Sequence, residues 1–337
     1  MRFAPTDEQR DFATALDDLL AVAAVPRIAR LWADGHHAAG LDLWRRLAAL
    51  GVTALAVPEE HGGLGAAPAD LVVAFEALGR HPVPGPAIES VALAPVLLAS
   101  VPDGPSLADL AGGKILVTVA APPMTPHALD ADVTDALLLE GTTLRAATPG
   151  ERLRSVDRSR RLFEPVPGPV LARLDLDTVA KALDTAALAC AAQLLGAGEH
   201  ALAVTVDYVK SRRQFGRVIG EYQAIKHLLA DVRVALEFAR PLVHGAAISL
   251  GAGSTDARRD VSAAKVAASE AAYRASRAAL QAHGAIGYTE EYDLSLWITK
   301  IRALVSAWGT PAHHRAEVLA ALTTKGPSRT PDPLRSA

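Results

Sequence analysis

The stretch that follows Asp175 is helix-forming almost without interruption, and this restricts the fold more than any other feature of the sequence. Apolar residues recur at helical spacing over roughly 176–210, 220–250, 256–283, 290–307 and 312–323. Long helices joined by short connections are antiparallel neighbours, so residues 174–325 are expected to form an antiparallel helical bundle. GAGST at 251–255 reads as one connecting loop, with Ser254 or Thr255 placed to cap the next helix. The Pro/Ser-rich tail at 326–337 is expected to be disordered.

The first 113 residues are also mainly helical, in shorter pieces. Residues 6–24 carry Phe12, Leu16, Leu19, Leu20 and Val22 on one face, with Thr6 as N-cap. Further helices are expected at Leu41–Leu50, ending at Gly51, and at Ala69–Gly79. Between them Pro58–Gly65 (PEEHGGLG) reads as a loop, His81–Pro86 reads as a turn, and 87–112 alternates helical stretches with Pro95 and Pro102. The pattern changes over 114–173. KILVTVA and DALLLEG read as strands, APPMTP as a turn, and 144–168 mixes charges and prolines with short apolar pieces. The fold class is therefore mainly α: an N-terminal helical domain, a small β region and a C-terminal bundle.

Composition narrows the function. A net charge of −3 without a long basic run gives no concentrated positive field for nucleic acid, and 4% aromatic residues give few stacking platforms. Cys190 is the one cysteine, so no intramolecular disulfide forms. The opening MRFAPTDEQRDF lacks a signal-peptide core, and the alanine-rich stretches are broken by charges, so no membrane span is expected and a cytoplasmic location is. The pairs His36-His37 and His313-His314 do not suggest a metal site. Adjacent helical residues do not share a face, so surface or packing roles are expected.

Two constellations carry chemistry. Arg212-Arg213-Gln214-Phe215-Gly216, followed by Tyr222-Gln223, stands where one long helix ends and another begins. A guanidinium fork and a helix N-terminus both suit phosphate oxygens. The same residues also read as a solvated basic turn with a buried Phe. In Gln281-Ala282-His283-Gly284-Ala285-Ile286-Gly287-Tyr288, the glycines allow close backbone approach to a ligand, and equally they terminate a helix. His283 alone reads as a hydrogen-bonded structural histidine.

Together these segments resemble the C-terminal helical domain of acyl-CoA dehydrogenases, and VPEEHGGLG with FEALGR resembles that family's first domain. The resemblance covers about 1–100 and 175–320 and is poor between them. It implies a flavin lying across a subunit interface, with its ADP half held by the neighbouring chain's C-terminal domain. Carried onto this sequence, Arg212, Gln214 and Phe215 would contact the pyrophosphate and adenine side of FAD. Gln223, Gln281, Gly284 and Ala285 would contact the same half, Ala285 standing where glycine is common.

The sequence departs from the family where catalysis is done. Relatives place a base, Glu, before a Gly-Thr; that slot here is Trp308, in Ala307-Trp308-Gly309-Thr310. Others use a Glu on the first long C-terminal helix, and that slot is Ala186. No catalytic residue is therefore assigned. Asp184 and Glu199 are the candidate substitutes, although a solvated or helix-capping role is expected for both. The family's Thr-Glu-Pro…Gly-Ser-Asp loop and Trp-Ile-Thr segment are missing between Lys114 and Arg173, and Trp297-Ile298-Thr299 lies on a late helix.

The resemblance thus implies the short, base-lacking subunit of a bacterial α2β2 acyl-CoA dehydrogenase, paired with a full-length sister chain. Several such pairs act on CoA thioesters of steroid side chains. An acyl-CoA substrate and an electron-transferring flavoprotein are the expected further partners. A homo-oligomeric enzyme with a displaced base and a non-enzymatic helical interaction protein remain the alternatives. An acyl-CoA oxidase or nitroalkane oxidase-like relative shares the fold, with the missing base against it.

Overall fold

The structure is a computed structural model describing residues 4–214 and 216–324. Phe215 and the 326–337 tail lie outside the described residues. Helix α1 (Asp7–Val22) starts at the expected cap: Thr6 Oγ1 accepts from Gln9 N–H at 3.2 Å, and the Gln9 side chain answers at Thr6 N–H. Helix α2 (Val25–Ala33) has no counterpart in the sequence reading, and it contains Pro26. The proline sits in the helix's first turn, where no N–H is needed. Helices α3 (Ala38–Ala49) and α4 (Pro68–Arg80) follow, then a π-helical turn at Ile88–Leu93 continuing into α5 (Ala94–Leu98), and α6 (Leu107–Ala111).

The middle region is a single five-stranded sheet made of β1 (Val117–Ala120), β2 (Ala128–Leu129), β3 (Asp135–Glu140), β4 (Thr143–Leu153) and β5 (Leu162–Arg173), in the order β1-β3-β4-β5-β2. β1 pairs parallel to β3, and the other pairings are antiparallel. The long β4–β5 hairpin was illegible because Pro165, Pro167 and Pro169 lack the N–H a strand donates. β2 pairs only with Leu162 and Phe163, so beyond them β5 is an edge, and its ladder to β4 is interrupted by register shifts.

Helix α7 (Leu176–Ser211) is unbroken. A two-residue hairpin, β6 (Arg213–Gln214) and β7 (Arg217–Val218), and a 3-10 turn at Ile219–Glu221 lead into α8 (Gln223–Gly251). Helices α9 (Ala257–His283), α10 (Leu294–Ser306) and α11 (Pro311–Thr324) complete the bundle. The N-cap of α9 is Asp256, not Ser254 or Thr255, and its side chain makes no cap bond. Ser254 Oγ instead accepts from Asp256 N–H at 3.2 Å, closing the loop before the helix.

One apolar core runs from α1 through α4 and α7 to α10, so the N-terminal helices and the bundle are not separately packed. Glycines make the closest crossing possible: a Cβ at Gly79 would collide with the Gln193 carbonyl on α7, and one at Gly196 with the Glu76 carbonyl on α4. Contrary to the sequence reading, α7 contains an 18-residue window long and apolar enough to cross a membrane, with hydropathy 1.3; 78% of that window is buried inside the protein, as in a core helix.

Candidate cofactor-binding site

Gly198 marks the level at which α7, α8 and α9 meet: a Cβ there would lie 2.9 Å from Leu236 Cδ2 and 3.1 Å from Ala272 Cα. From this level the same number of residues leads along α7 to Ser211, back along α8 to Gln223 and along α9 to Ala285. At 1.5 Å per residue all three arrive at one end of the bundle, about 20 Å away. Tyr208 confirms the meeting by stacking on His283, 4.1 Å between ring centroids. The two separate sequence segments are therefore brought together, and Arg212, Gln214, Gln223, Gln281, Gly284 and Ala285 are all exposed there.

Each is set by local geometry. Arg212 is the C-cap of α7, in extended conformation, its N–H bonded to the Tyr208 carbonyl at 2.9 Å, so the side chain leaves the helix at its end. Its guanidinium makes no hydrogen bond or ion pair among the described residues. Gln214 pairs with Arg217 across the hairpin turned by Gly216 (φ +83°), and Arg217 lies over the Tyr222 ring at 4.1 Å. Gln223 opens α8 and is exposed; the N-cap, Tyr222, makes no side-chain capping bond to the helix and donates instead to the Gln214 carbonyl at 3.4 Å. Gly284 ends α9 at φ 62°, ψ −135°, a conformation for glycine alone, and nothing lies within 4 Å of where its Cβ would be. An exposed guanidinium, a helix N-terminus without a side-chain cap and bare glycine backbone fit the diphosphate of a dinucleotide.

His283 is structural, as expected. Its Nδ1 bonds the Ala279 carbonyl at 2.8 Å and is therefore the protonated nitrogen, leaving Nε2 to accept from Tyr292 Oη at 3.2 Å; burial holds its pKa below the ordinary value.

The two base slots are closed. Ala186 and Trp308 are each 0% exposed. Trp308 sits at φ 55°, its N–H donating to Thr125 Oγ1 at 3.1 Å and its carbonyl bonded by His314 Nε2 at 2.9 Å. Around it, buried Lys265 donates to the carbonyls of Leu304 (3.1 Å), Val305 (3.3 Å) and Gly309 (3.3 Å) and so caps the end of α10. The loop after β1 is thus used to hold a tryptophan.

Neither substitute carboxylate is solvated or capping, which corrects the sequence reading. Asp184 is half-buried on the face opposite Ala186, near Arg258 and Glu317; burial pushes its carboxyl up to about 6. Glu199 pairs with Arg240 and, at 3.8 Å, with Arg80, inside a network that also ties Arg240 and His244 to Glu76 at 2.6 and 3.0 Å. Glu199 thus fastens α7 to α4 and α8, whereas Asp184 makes no hydrogen bond or ion pair among the described residues.

The carboxyl that does face Trp308 is Glu89, which the sequence reading passed over. It lies on the π-helical turn, fully buried, with neither oxygen hydrogen-bonded among the described residues. The Trp308 indole N–H approaches it without reaching hydrogen-bond geometry. Burial raises its pKa against the opposing charges of Arg160 and Lys300. Its only signal in the sequence was an acid inside the apolar run AIESVAL.

The histidine pairs serve packing: His37 stands edge-on to Trp32 at 4.8 Å, and buried His314 bonds Ser262 Oγ at 3.1 Å. Among the described residues no group of three His, Cys, Asp or Glu side chains converges on a point. Trp297 lies on α10, donating to the Gly79 carbonyl at 3.2 Å.

Comparison with known proteins identifies the family and the fold. The model of the acyl-CoA dehydrogenase C-terminal domain matches residues 176–323, and that of the N-terminal domain matches 6–100. The acyl-CoA dehydrogenase IpdE2 of Mycolicibacterium smegmatis is 35% identical over 274 residues, covering 80% of this chain and 84% of that protein. IpdE2 of Mycobacterium tuberculosis is 32% identical over 316 residues, covering 88% and 91%. In fold, a chain of the ChsE4-ChsE5 complex from Mycobacterium tuberculosis superposes with a TM-score of 0.80 at 22% identity, covering 97% of this chain and 100% of the other. Butyryl-CoA dehydrogenase from Megasphaera elsdenii does so at 0.79 and 23%, covering 96% and 100%. With both family models matched in order and relatives aligned over most of their length, this chain is a member of the acyl-CoA dehydrogenase family of oxidoreductases.

Proposed function

We propose that this chain is the non-catalytic subunit of an FAD-dependent acyl-CoA dehydrogenase: it completes the FAD site of a sister chain, which supplies the base and the flavin-ring pocket. The observation that carries the reading is an asymmetry within one chain. The nucleotide-side residues are gathered and exposed at the end of the bundle, whereas both base slots are sealed in the core. FAD, when bound, supplies the electron acceptance of acyl-CoA α,β-dehydrogenation. This chain's part is to bind and orient: Arg212 offers a fork to the pyrophosphate, Gln214, Gln223 and Gln281 offer amide donors and acceptors, and Gly284 and Ala285 let backbone approach the nucleotide.

A sister chain also accounts for the outer face of α8. Val234, Phe238 and Leu242, spaced four residues apart on α8, are 52%, 73% and 46% exposed. An apolar row of this kind suits an obligate interface. The assembly is α2β2 in this reading, cytoplasmic, acting on an acyl-CoA thioester of the lipid or steroid class and passing electrons to an electron-transferring flavoprotein.

Glu89 favours a second reading, a homomeric enzyme whose base has moved to position 89, since it is the carboxyl that faces a closed slot. Its seal from solvent weighs against this. Flavin absorbance and acyl-CoA-driven bleaching, measured on the chain alone and after co-expression with a full-length homologue, separate the two. A colourless chain that yields a yellow, bleachable complex supports the auxiliary subunit. A chain that is yellow and bleached by itself refutes it, and loss of that bleaching in Glu89→Gln would locate the base.

A further inference from the structure

The segment that carries the proposed nucleotide contacts rests on the bundle along one side only. Residues Gly284, Ala285 and Ile286 are exposed, and the following turn, 289–293, contributes Glu290 and Glu291 to the lining of a cavity of about 720 Å³. Leu280, Gly287 and Leu296 line one wall of that cavity; Ala33 of α2 and Val156 of the β4–β5 loop line the other. On the bundle side the segment is fixed by buried Gly287 and by Tyr292, which packs on the core and bonds His283 at 3.2 Å; its other side faces the cavity.

Two arginines from the far wall reach across. Arg30, on α2, places Nη1 2.5 Å from Asp293 Oδ1 and donates from Nη2 to the Glu290 carbonyl at 3.0 Å. Arg158, on the β4–β5 loop, donates to Glu290 Oε2 and to Asp34 Oδ1, both at 2.8 Å. The turn is thus held through a backbone carbonyl and two carboxylates, by forks anchored on the N-terminal helices and the β region. One exposed ion pair contributes little, but here each arginine bridges two residues and both meet at Glu290, one at its carbonyl and one at its carboxylate, so the contacts form a network.

We infer that Arg30 and Arg158 are positioning residues for the FAD cradle: they hold the 284–293 segment beside the cavity at the place from which Gly284 and Ala285 meet the nucleotide. This rests on the proposed FAD-completing role and assigns the N-terminal domain and the β4–β5 loop a part in it. Because the pairs are exposed, salt weakens them; the Debye length is about 10 Å at 0.1 M and about 3 Å at 1 M.

The test uses the assembly co-purified with its sister chain, comparing wild type, Arg30→Gln/Arg158→Gln, Arg30→Lys/Arg158→Lys and, separately, Arg212→Ala. Amide hydrogen exchange and FAD release are followed at low and high salt. The double glutamine variant is expected to exchange faster over 284–293 alone and to release FAD roughly three- to tenfold faster at low salt. The difference should vanish near 1 M salt. The lysine variant should restore part of the loss, since an ammonium keeps the charge but not the fork. Unchanged exchange over 284–293 overturns the clamp. Faster exchange with unchanged FAD release, in a preparation where Arg212→Ala does release FAD, overturns the positioning role alone. If Arg212→Ala also leaves FAD in place, the cradle assignment falls, and the positioning role falls with it.

Discussion

Tyr208 stacks on His283 with ring planes 23° apart, and through this contact the C-terminal ends of α7 and α9 are held side by side. An aromatic pair of this kind contributes about 0.5–1.5 kcal/mol beyond burial. Tyr208→Ala should lower stability by roughly 1–3 kcal/mol and loosen FAD retention, while Tyr208→Phe keeps both. Denaturant midpoints and flavin release measure the two effects. An alanine variant with unchanged flavin release would show that the cradle does not depend on this union.

Arg212→Ala should leave the fold intact, because its guanidinium supports nothing else in the chain among the described residues. A charged hydrogen bond to phosphate is worth about 1.5–3 kcal/mol, so FAD should bind roughly 10- to 100-fold more weakly in the assembly. Unaltered flavin occupancy after gel filtration would remove Arg212 from the pyrophosphate.

Trp308→Glu introduces the residue type that the family resemblance implies for this slot, yet no gain of acyl-CoA-dependent dye reduction is expected. The position is sealed, and a new carboxylate would be buried beside Glu89, a like charge. A loss of roughly 3 kcal/mol or more in thermal or denaturant stability is expected instead. Dehydrogenase activity in this variant would contradict the auxiliary role.

Phe238→Glu places a charge in the centre of the exposed apolar row on α8. The chain should keep its helical circular dichroism, and the assembly should dissociate, read by light scattering or native mass spectrometry. An intact assembly would move the interface elsewhere.

Asp184 and His200 pull stability in opposite directions with pH. The folded pKa of Asp184 is raised to about 6, so the native state binds the extra proton, and stability declines as pH rises from about 4 to 6. His200, stacked 3.8 Å from Trp297, is lowered by burial to about 4; its contribution is full above its ordinary 6.5 and is lost as pH falls towards 4. Asp184→Asn should therefore stabilise the protein at pH 7 by on the order of 1–2 kcal/mol relative to wild type and not at pH 4. His200→Phe should flatten the acid limb. Equal pH profiles for variant and wild type would show that these groups are not desolvated as described.

The elements that could be read directly are those specified by neighbours in sequence. Thr6 and Gln9 form their capping box within one turn, and the apolar period of α7 and α9 repeats every few residues, so each is visible in a short window. Strands β4 and β5 were hidden because their prolines break the local pattern, and only the free edge beyond Phe163 makes those prolines tolerable. Helix α2 also lay outside the sequence reading; it carries Pro26 in its first turn, where no N–H is needed.

By itself, the sequence determined that the chain is mainly helical and that Arg212 and Gln281–Tyr288 stand at helix ends; that Trp308 and Ala186 fall at two base slots is what the family resemblance implies. Helical period, caps and residue chemistry are local properties, so no long-range geometry was needed. Only the tertiary structure decided that the two ligand segments share one end of the bundle, that both slots are sealed, that Glu199 is held by Arg240 and Arg80, and that Glu89 faces Trp308. It also brought Arg30 and Arg158 to a turn far from either in the chain. Those relationships join residues separated by long stretches of sequence, and they exist only once packing has fixed where each helix lies.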